Sequence, residues 1–152
     1  SALDMHLQMG HQLMKFLLPG MKERSYGRII NVISTSVKIP LDGLGVSNTV
    51  RGAVASWSKT LANELGPFNI TVNNLLPGFM ETQRLEQIIT NKALKSGQAE
   101  DQVVEKTKKE VPAKRFGQPQ EMGNIAAFLA SPLAGYINGA SIPVDGGRTG
   151  SI

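Results

Sequence analysis

Two apolar, β-branched runs flanking an amphipathic stretch constrain this chain more than any other feature. Ile29, Ile30, Val32 and Ile33 are nearly continuous, and Ile70-Thr-Val-Asn-Asn-Leu-Leu76 opens in the same way. Runs without regular polar alternation suit strands covered on both faces. Residues 28–34 are therefore read as a first strand and 70–76 as a second. Between them Val50, Val54, Trp57 and Leu61 recur at helical spacing, so 47–65 is read as a helix that Gly66-Pro67 ends. Residues 3–24 form an earlier helix with Leu3, Leu7, Leu13, Leu17 and Leu18 near one face, perturbed towards its end by Pro19-Gly20.

Past the second strand, Pro77-Gly78 breaks the chain direction. Residues 79–112 are polar and are read as short helices in a mobile excursion. A connection this long is more often a functional lid than filler. Pro119-Gln-Glu121 opens a helix reaching Ala130, and Ile142-Pro-Val144 is a short third strand followed by Asp145-Gly-Gly147. This order of strands and helices implies parallel strands joined by right-handed crossovers, which is half of a doubly wound α/β sheet. The other half of such a sheet carries a Gly-rich turn after its first strand. Gly43-Leu-Gly45 and Gly146-Gly147 are too short for that turn and stand in the wrong context.

Composition narrows the function classes. Of 152 residues, 41% are hydrophobic and 18% charged, enough chain for one domain with a real core. The net charge is +4, but Lys106, Lys108 and Lys109 alternate with Glu105 and Glu110. That pattern is a solvated helix face rather than a nucleic-acid surface. Cysteine is absent and histidines number two, so a disulfide framework is excluded and a metal site is not expected. No apolar run approaches a membrane span, and the first residues lack signal-peptide architecture. The expected compartment is the cytoplasm.

Five motifs in order then point to a family. Pro19-Gly-Met-Lys-Glu-Arg leads into Gly27-Arg-Ile-Ile-Asn31, and Trp57-Ser-Lys-Thr-Leu-Ala-Asn-Glu-Leu65 follows. Ile70-Thr-Val-Asn73 leads to Pro77-Gly-Phe-Met-Glu-Thr82, and Arg115-Phe-Gly-Gln-Pro-Gln-Glu121 precedes Asn138-Gly-Ala-Ser-Ile-Pro-Val-Asp-Gly-Gly147. From about Leu7 to Gly147 the chain resembles the C-terminal part of a short-chain dehydrogenase/reductase, in the 3-oxoacyl-[acyl-carrier-protein] reductase-like branch. The resemblance implies the C-terminal half of a doubly wound Rossmann-type sheet without its Gly-rich N-terminal half. Residues 1–152 would then be a single partial Rossmann-like domain, with 79–112 as the substrate lid.

The same resemblance implies chemistry. Family members place a Ser at a strand end and a Tyr-x-x-x-Lys on the next helix. Here Ser34 matches the Ser, while Ser47 stands at the Tyr position and Arg51 at the Lys position. His6 falls near the position of a supporting Asn. Pro77, Gly78 and Thr82 match the segment that approaches the nicotinamide and phosphates. The expected catalytic residues are therefore Ser34, Ser47 and Arg51, and the cofactor-binding residues Arg51, Pro77, Gly78 and Thr82. The cofactor would be NAD or NADP in the full-length parent and is not expected on this chain alone. The substrate would be a small carbonyl or alcohol. The helices at 3–24 and 47–65 imply a homo-oligomer, and no nucleic-acid or membrane partner is expected.

Each residue also has a plainer reading. A tyrosine with a reference pKa of about 10 can be tuned towards neutrality by a cation, whereas an aliphatic hydroxyl is far harder to ionise. Ser47 is therefore a poor general acid. Arg51 either keeps a ligand contact through its fork, or forms a structural ion pair or faces solvent. Ser34 either serves a site or bonds its own loop. Thr82 either meets cofactor or caps a helix. His6 is more often a surface residue than a catalyst, and Trp57 is read as packing. The functional expectation is an oxidoreductase scaffold, inactive as this chain alone. The alternatives are a non-catalytic binding or oligomerisation subunit, or a truncated or proteolysed piece of a longer reductase.

Overall fold

The computed structural model describes residues 1–150, which fold as α/β around a three-stranded parallel sheet ordered β1-β2-β3. The strands are β1 (Gly27–Val32), β2 (Ile70–Pro77) and β3 (Ser141–Val144). Gly27 lies opposite Ile70 and Val32 opposite Leu75, while Asn74 pairs with Ser141 and Pro77 with Val144. β2 is central and is buried from Ile70 through Leu76. β1 is an edge strand, and its last residue, Val32, is 57% exposed. The expectation of a first strand over 28–34 covered on both faces is corrected at that end. Pairing stops at Val32, and the side chain there stands largely uncovered.

Alternating side chains of β2 feed two cores, as the pleat requires. Ile70 and Val72 meet Leu61, Ala62 and Leu65 of α2 (Gly45–Leu65), and Leu76 meets Val54 of the same helix. Leu75 instead joins Leu129 of α5 (Pro119–Ala130) and Ala134. The first helical segment begins with a π-helical turn, Asp4–Gln8, and continues as α1 (Met9–Glu23). Pro19 sits inside α1, which carries on for another turn. The inward stripe of this segment is Leu7, Met14, Leu18 and Met21. Leu3, Leu13 and Leu17 are exposed, so the single inward face drawn through five leucines is corrected. Trp57 packs on the α2 side of the sheet, against the clusters around Leu61 and around Val54, and lies edge-on to His11.

The excursion after β2 is a helical pair, α3 (Gln83–Ser96) and α4 (Glu100–Lys109). Leu85, Ile89, Ala93, Val103 and Phe116 bury one another and give this pair its own core. Lysines on α4 face solvent, with Lys108 3.2 Å from Glu105. Two asparagines lock the loop before β3 to the sheet. Asn138 donates to the Ala62 carbonyl at 2.8 Å and accepts from the Val72 amide at 2.9 Å. Asn73 donates to the Ile137 carbonyl at 2.7 Å and accepts from the Ala140 amide at 3.0 Å. The asparagines of two sequence motifs thus satisfy buried backbone groups, each of which would otherwise cost about 1–3 kcal/mol.

Candidate active site

In parallel α/β sheets the C-terminal strand ends open onto ligand sites. Here those ends face a cleft of about 510 Å³ lined by Val32, Leu75, Pro77, Gly78, Phe79 and Thr82, with Met122 and Ala126 of α5 opposite. Pro77 and Gly78 leave β2 at its floor. A Cβ on Gly78 would lie 2.6 Å from Asp145 Cβ and 2.8 Å from its Cα, so only glycine fits. The Gly78 amide donates to the Val144 carbonyl at 3.0 Å, fixing where the chain turns. Asp145 in turn holds the following loop by accepting from the Gly147 amide at 3.0 Å and the Thr149 amide at 2.8 Å. Burial works against the Asp145 charge, but hydrogen bonds from Thr149, Gly147 and Arg148 outweigh it and hold the carboxyl below the ordinary carboxylate range. Gly146 and Gly147 both take positive φ there, a conformation that favours glycine.

Of the two roles expected for Thr82, the cap is seen: it is the N-cap of α3, its hydroxyl accepting from the Leu85 amide at 3.4 Å, and it also lines the cleft. The rim beside it is braced by the Arg115 to Glu121 motif. Arg115 donates twice to Glu121, at 2.8 and 2.7 Å, and the Gln118 amide donates to the same carboxylate at 2.7 Å. The Arg115 hydrogen bonds, then that of the Gln118 backbone, lower the Glu121 pKa to about 2. Gln118 also reaches Glu81 at 2.6 Å, tying the start of α5 to the segment between β2 and α3.

A second cleft, of about 610 Å³, lies between the first helical turn of the chain and the start of α2. His6, Ser47 and Arg51 line it together with residues 43–46, where the chain enters α2. Ser47 and Arg51 are one helical turn apart, so they share a face of α2. Arg51 is half-buried, and one guanidinium nitrogen donates to the Val32 carbonyl at 3.4 Å. Among the described residues no carboxylate lies within ion-pair distance of it. Partial burial lowers its pKa. Burial, and secondarily the charge of Arg51, lowers the pKa of His6.

The residues singled out by sequence therefore fall into two neighbouring places. Pro77, Gly78 and Thr82 share the first cleft; Ser47 and Arg51 share the second, with His6. Val32 joins them, because its side chain lines one cleft and its carbonyl meets Arg51. Ser34 lines neither cleft. It lies two residues past β1, and its hydroxyl accepts from the Ser36 amide at 3.0 Å, capping the 3₁₀ turn Thr35–Val37. Sequence reasoning missed Val32, Phe79, Arg84 and Met122 as cleft residues. Arg84 had a signal, a charge two residues after Thr82; the apolar three look like any core residue.

A dinucleotide fits these residues at one end only. The first cleft is largely apolar, sits at the strand ends and has the Thr82 hydroxyl and the Arg84 charge at its margin, which suits a flat nicotinamide ring. A diphosphate usually rests on a Gly-rich turn feeding a helix N-terminus. Among the described residues no strand of the sheet runs through such a turn into a helix.

Comparison with known proteins gives the class. The family model described as Enoyl-(Acyl carrier protein) reductase matches residues 1–149. The NADPH-dependent reductase BacG of Bacillus subtilis (strain 168) is 38% identical over 132 residues, covering 87% of this chain and 51% of that protein. The 3-oxoacyl-[acyl-carrier-protein] reductase FabG of Vibrio cholerae is 37% identical over 136 residues, covering 90% and 51%. The L-sorbose reductase of Gluconobacter frateurii, solved with NADPH and L-sorbose, superposes with a TM-score of 0.91 at 30% identity, over 99% of this chain and 58% of that one. The chain belongs to the short-chain dehydrogenase/reductase family, and it spans about half the length of the relatives it matches. No helix among the described residues is long and apolar enough to cross a membrane.

Proposed function

We propose that this chain forms the substrate-cleft part of an NAD(P)-dependent reductase acting on a carbonyl compound or, in reverse, an alcohol. We assign NADPH as the cofactor because the relatives' names and structures refer to it. The observation that carries the reading is the apolar cleft at the C-terminal ends of β1 and β2, bordered by Pro77, Gly78 and Thr82. When bound, the nicotinamide supplies a hydride to the carbonyl carbon. Phe79, Met80 and Leu85 exclude water from that place, and α3–α4 act as its lid. The Thr82 hydroxyl and the backbone at Pro77–Gly78 orient the ring. Ser47 offers a hydroxyl to the substrate and Arg51 holds its charge beside it, both from the neighbouring cleft, while Ser34 caps its own turn. Neither serine supplies an ionisable group near neutral pH, so the acid–base contribution, typically about 10²–10⁴-fold, is largely lost.

The diphosphate anchor in this reading lies on a Gly-rich segment outside these 152 residues, packed against the open edge of β1. The chain alone is then inactive and binds NADPH weakly. The test is complementation. The purified chain is mixed with the part of the Bacillus subtilis reductase that it does not cover, and NADPH consumption is followed on a panel of ketones and 3-oxoacyl thioesters. Turnover in the mixture and none in either part supports the proposal. Micromolar NADPH binding by the isolated chain in calorimetry contradicts it.

A second reading has its own observation. Met5, Met9, Leu13 and Phe16 are exposed on the first helical segment, Phe16 by 82%. An uncovered apolar face of this kind fits a non-catalytic assembly subunit that pairs through residues 3–24 and 47–65. Sedimentation at several concentrations decides it: a persistent monomer removes the reading, and a dimer dispersed by Phe16→Glu upholds it.

A further inference from the structure

The first cleft accounts for a flat ring and an apolar wall. The second has a different chemistry: Ser47 and Arg51, set beside the substrate in the reductase reading, share it with His6. Arg51 brings a half-buried guanidinium whose sole hydrogen bond among the described residues is to a carbonyl at 3.4 Å, a long one. A guanidinium has five N–H donors in a planar fork that matches a carboxylate. Among the described residues most of those donors have no protein partner. His6 faces the same cleft from the first helical segment, and Ser47 adds a hydroxyl one turn from Arg51. Among the described residues Asp and Glu are absent from the lining, and His6 and Arg51 are its ionisable side chains. A half-buried cation beside an imidazole, with no counter-charge, is costly until an anion arrives. A neutral sugar hydroxyl would satisfy donors but not the charge.

We propose that the cleft between His6, Ser47 and Arg51 binds a substrate carboxylate, so that the carbonyl compound reduced here is an oxo acid. The carboxylate accepts from the Arg51 fork and from Ser47, with protonated His6 as the third donor. The ketone end then extends past Val32, the residue shared by both clefts, towards Pro77 and Thr82. In the empty cleft burial and, secondarily, Arg51 both disfavour the charge of His6. An anion in the cleft reverses that balance.

This inference rests on the reductase reading for its ketone end, but its test needs no cofactor or turnover. The whole 152-residue chain is titrated with 4-oxopentanoate, its methyl ester and inorganic phosphate while the His6 ring resonances are followed by NMR; His6→Gln assigns them against His11. The acid should shift the His6 signals and raise the His6 pKa by about one pH unit, as an opposite charge within a few ångströms does. The ester should do neither. Arg51→Gln, with its fold checked by circular dichroism, should weaken the acid at least about tenfold, the scale of a lost charged hydrogen bond. Arg51→Lys should retain part of the binding, since it keeps the charge without the fork. Equal response to acid and ester, no response to the acid, or tighter binding of phosphate than of the acid would overturn the carboxylate assignment. Each of these would leave the NADPH complementation result untouched.

Discussion

The two clefts are built differently, and the contrast explains what a mutation can do in each. The cleft at the strand ends is assembled largely from one contiguous segment, Pro77 to Leu85, laid over Leu75 and braced by Asp145 and Glu121. Its residues hold up the fold as well as the site. The cleft holding His6, Ser47 and Arg51 is assembled from two helical segments distant in sequence, with Val50 as its link to the buried core. Its polar residues carry charge and hydroxyls and support little else. Substitutions in the first should therefore cost stability, and those in the second should change chemistry with the fold intact.

The largest stability loss is expected at Leu75, which is fully buried between Leu129 and Ala134 and also floors the first cleft. Leu75→Ala should cost about 2–5 kcal/mol, read as a lower urea midpoint. Arg51→Gln under the same conditions should move the midpoint by far less. If the two losses are equal, the division between framework cleft and chemical cleft fails. Gly78→Ala comes next. Its new methyl meets the Asp145 backbone, so a loss of about 1–3 kcal/mol is expected, the usual scale for overpacking. An unaffected melting curve would show that the turn between Pro77 and Thr82 can yield.

Smaller effects sharpen the same contrast. Thr82→Ala removes the cap of α3 and should cost about 0.5–1 kcal/mol, with faster amide exchange in the first turn of that helix. Unchanged exchange there would assign Thr82 to the cleft alone. The Glu121 brace is exposed, and its effect is best seen as a pH dependence. Its folded pKa, about 2, is below the ordinary carboxylate value of 4.5. Its stabilisation is therefore complete above about pH 4.5 and fades as pH falls towards about 2. The melting temperatures of the wild type and Glu121→Gln should differ most above pH 5 and converge on acidification. A gap constant with pH would mean that the Arg115 pair contributes nothing through its charge.

Much of the framework is legible in the sequence because it depends on local patterns. The helix over Pro119–Ala130 follows from a proline in the first turn and an apolar period, and β2 from a run that is buried throughout. β1 reads less well at its end, since Val32 is as β-branched as Ile29 while its exposure depends on what packs beside an edge strand. The leucines of the first helical segment mislead for a related reason. Leu13 and Leu17 are as apolar as Leu18, and only the direction of the helix against Trp57 decides which turn inward. The pair Ser47 and Arg51, one helical turn apart, is visible in sequence through spacing. That no carboxylate among the described residues pairs with Arg51 is not, because it depends on every chain segment that could have supplied one. Ser34 shows the reverse case: its position in the chain looks catalytic, while its hydroxyl accepts from the backbone of its own turn.

The central proposal is that Ser47 and Arg51 stand where a reductase needs an ionisable phenol and a lysine. The complemented protein, with its diphosphate anchor supplied, tests this most directly. Single-turnover ketone reduction would be measured for the wild type and for Ser47→Tyr combined with Arg51→Lys. An altered acid–base pair predicts that the double replacement raises the rate by about 10²-fold or more. A fast wild-type rate, unimproved by the replacement and abolished by His6→Ala, would contradict it and identify a different proton relay.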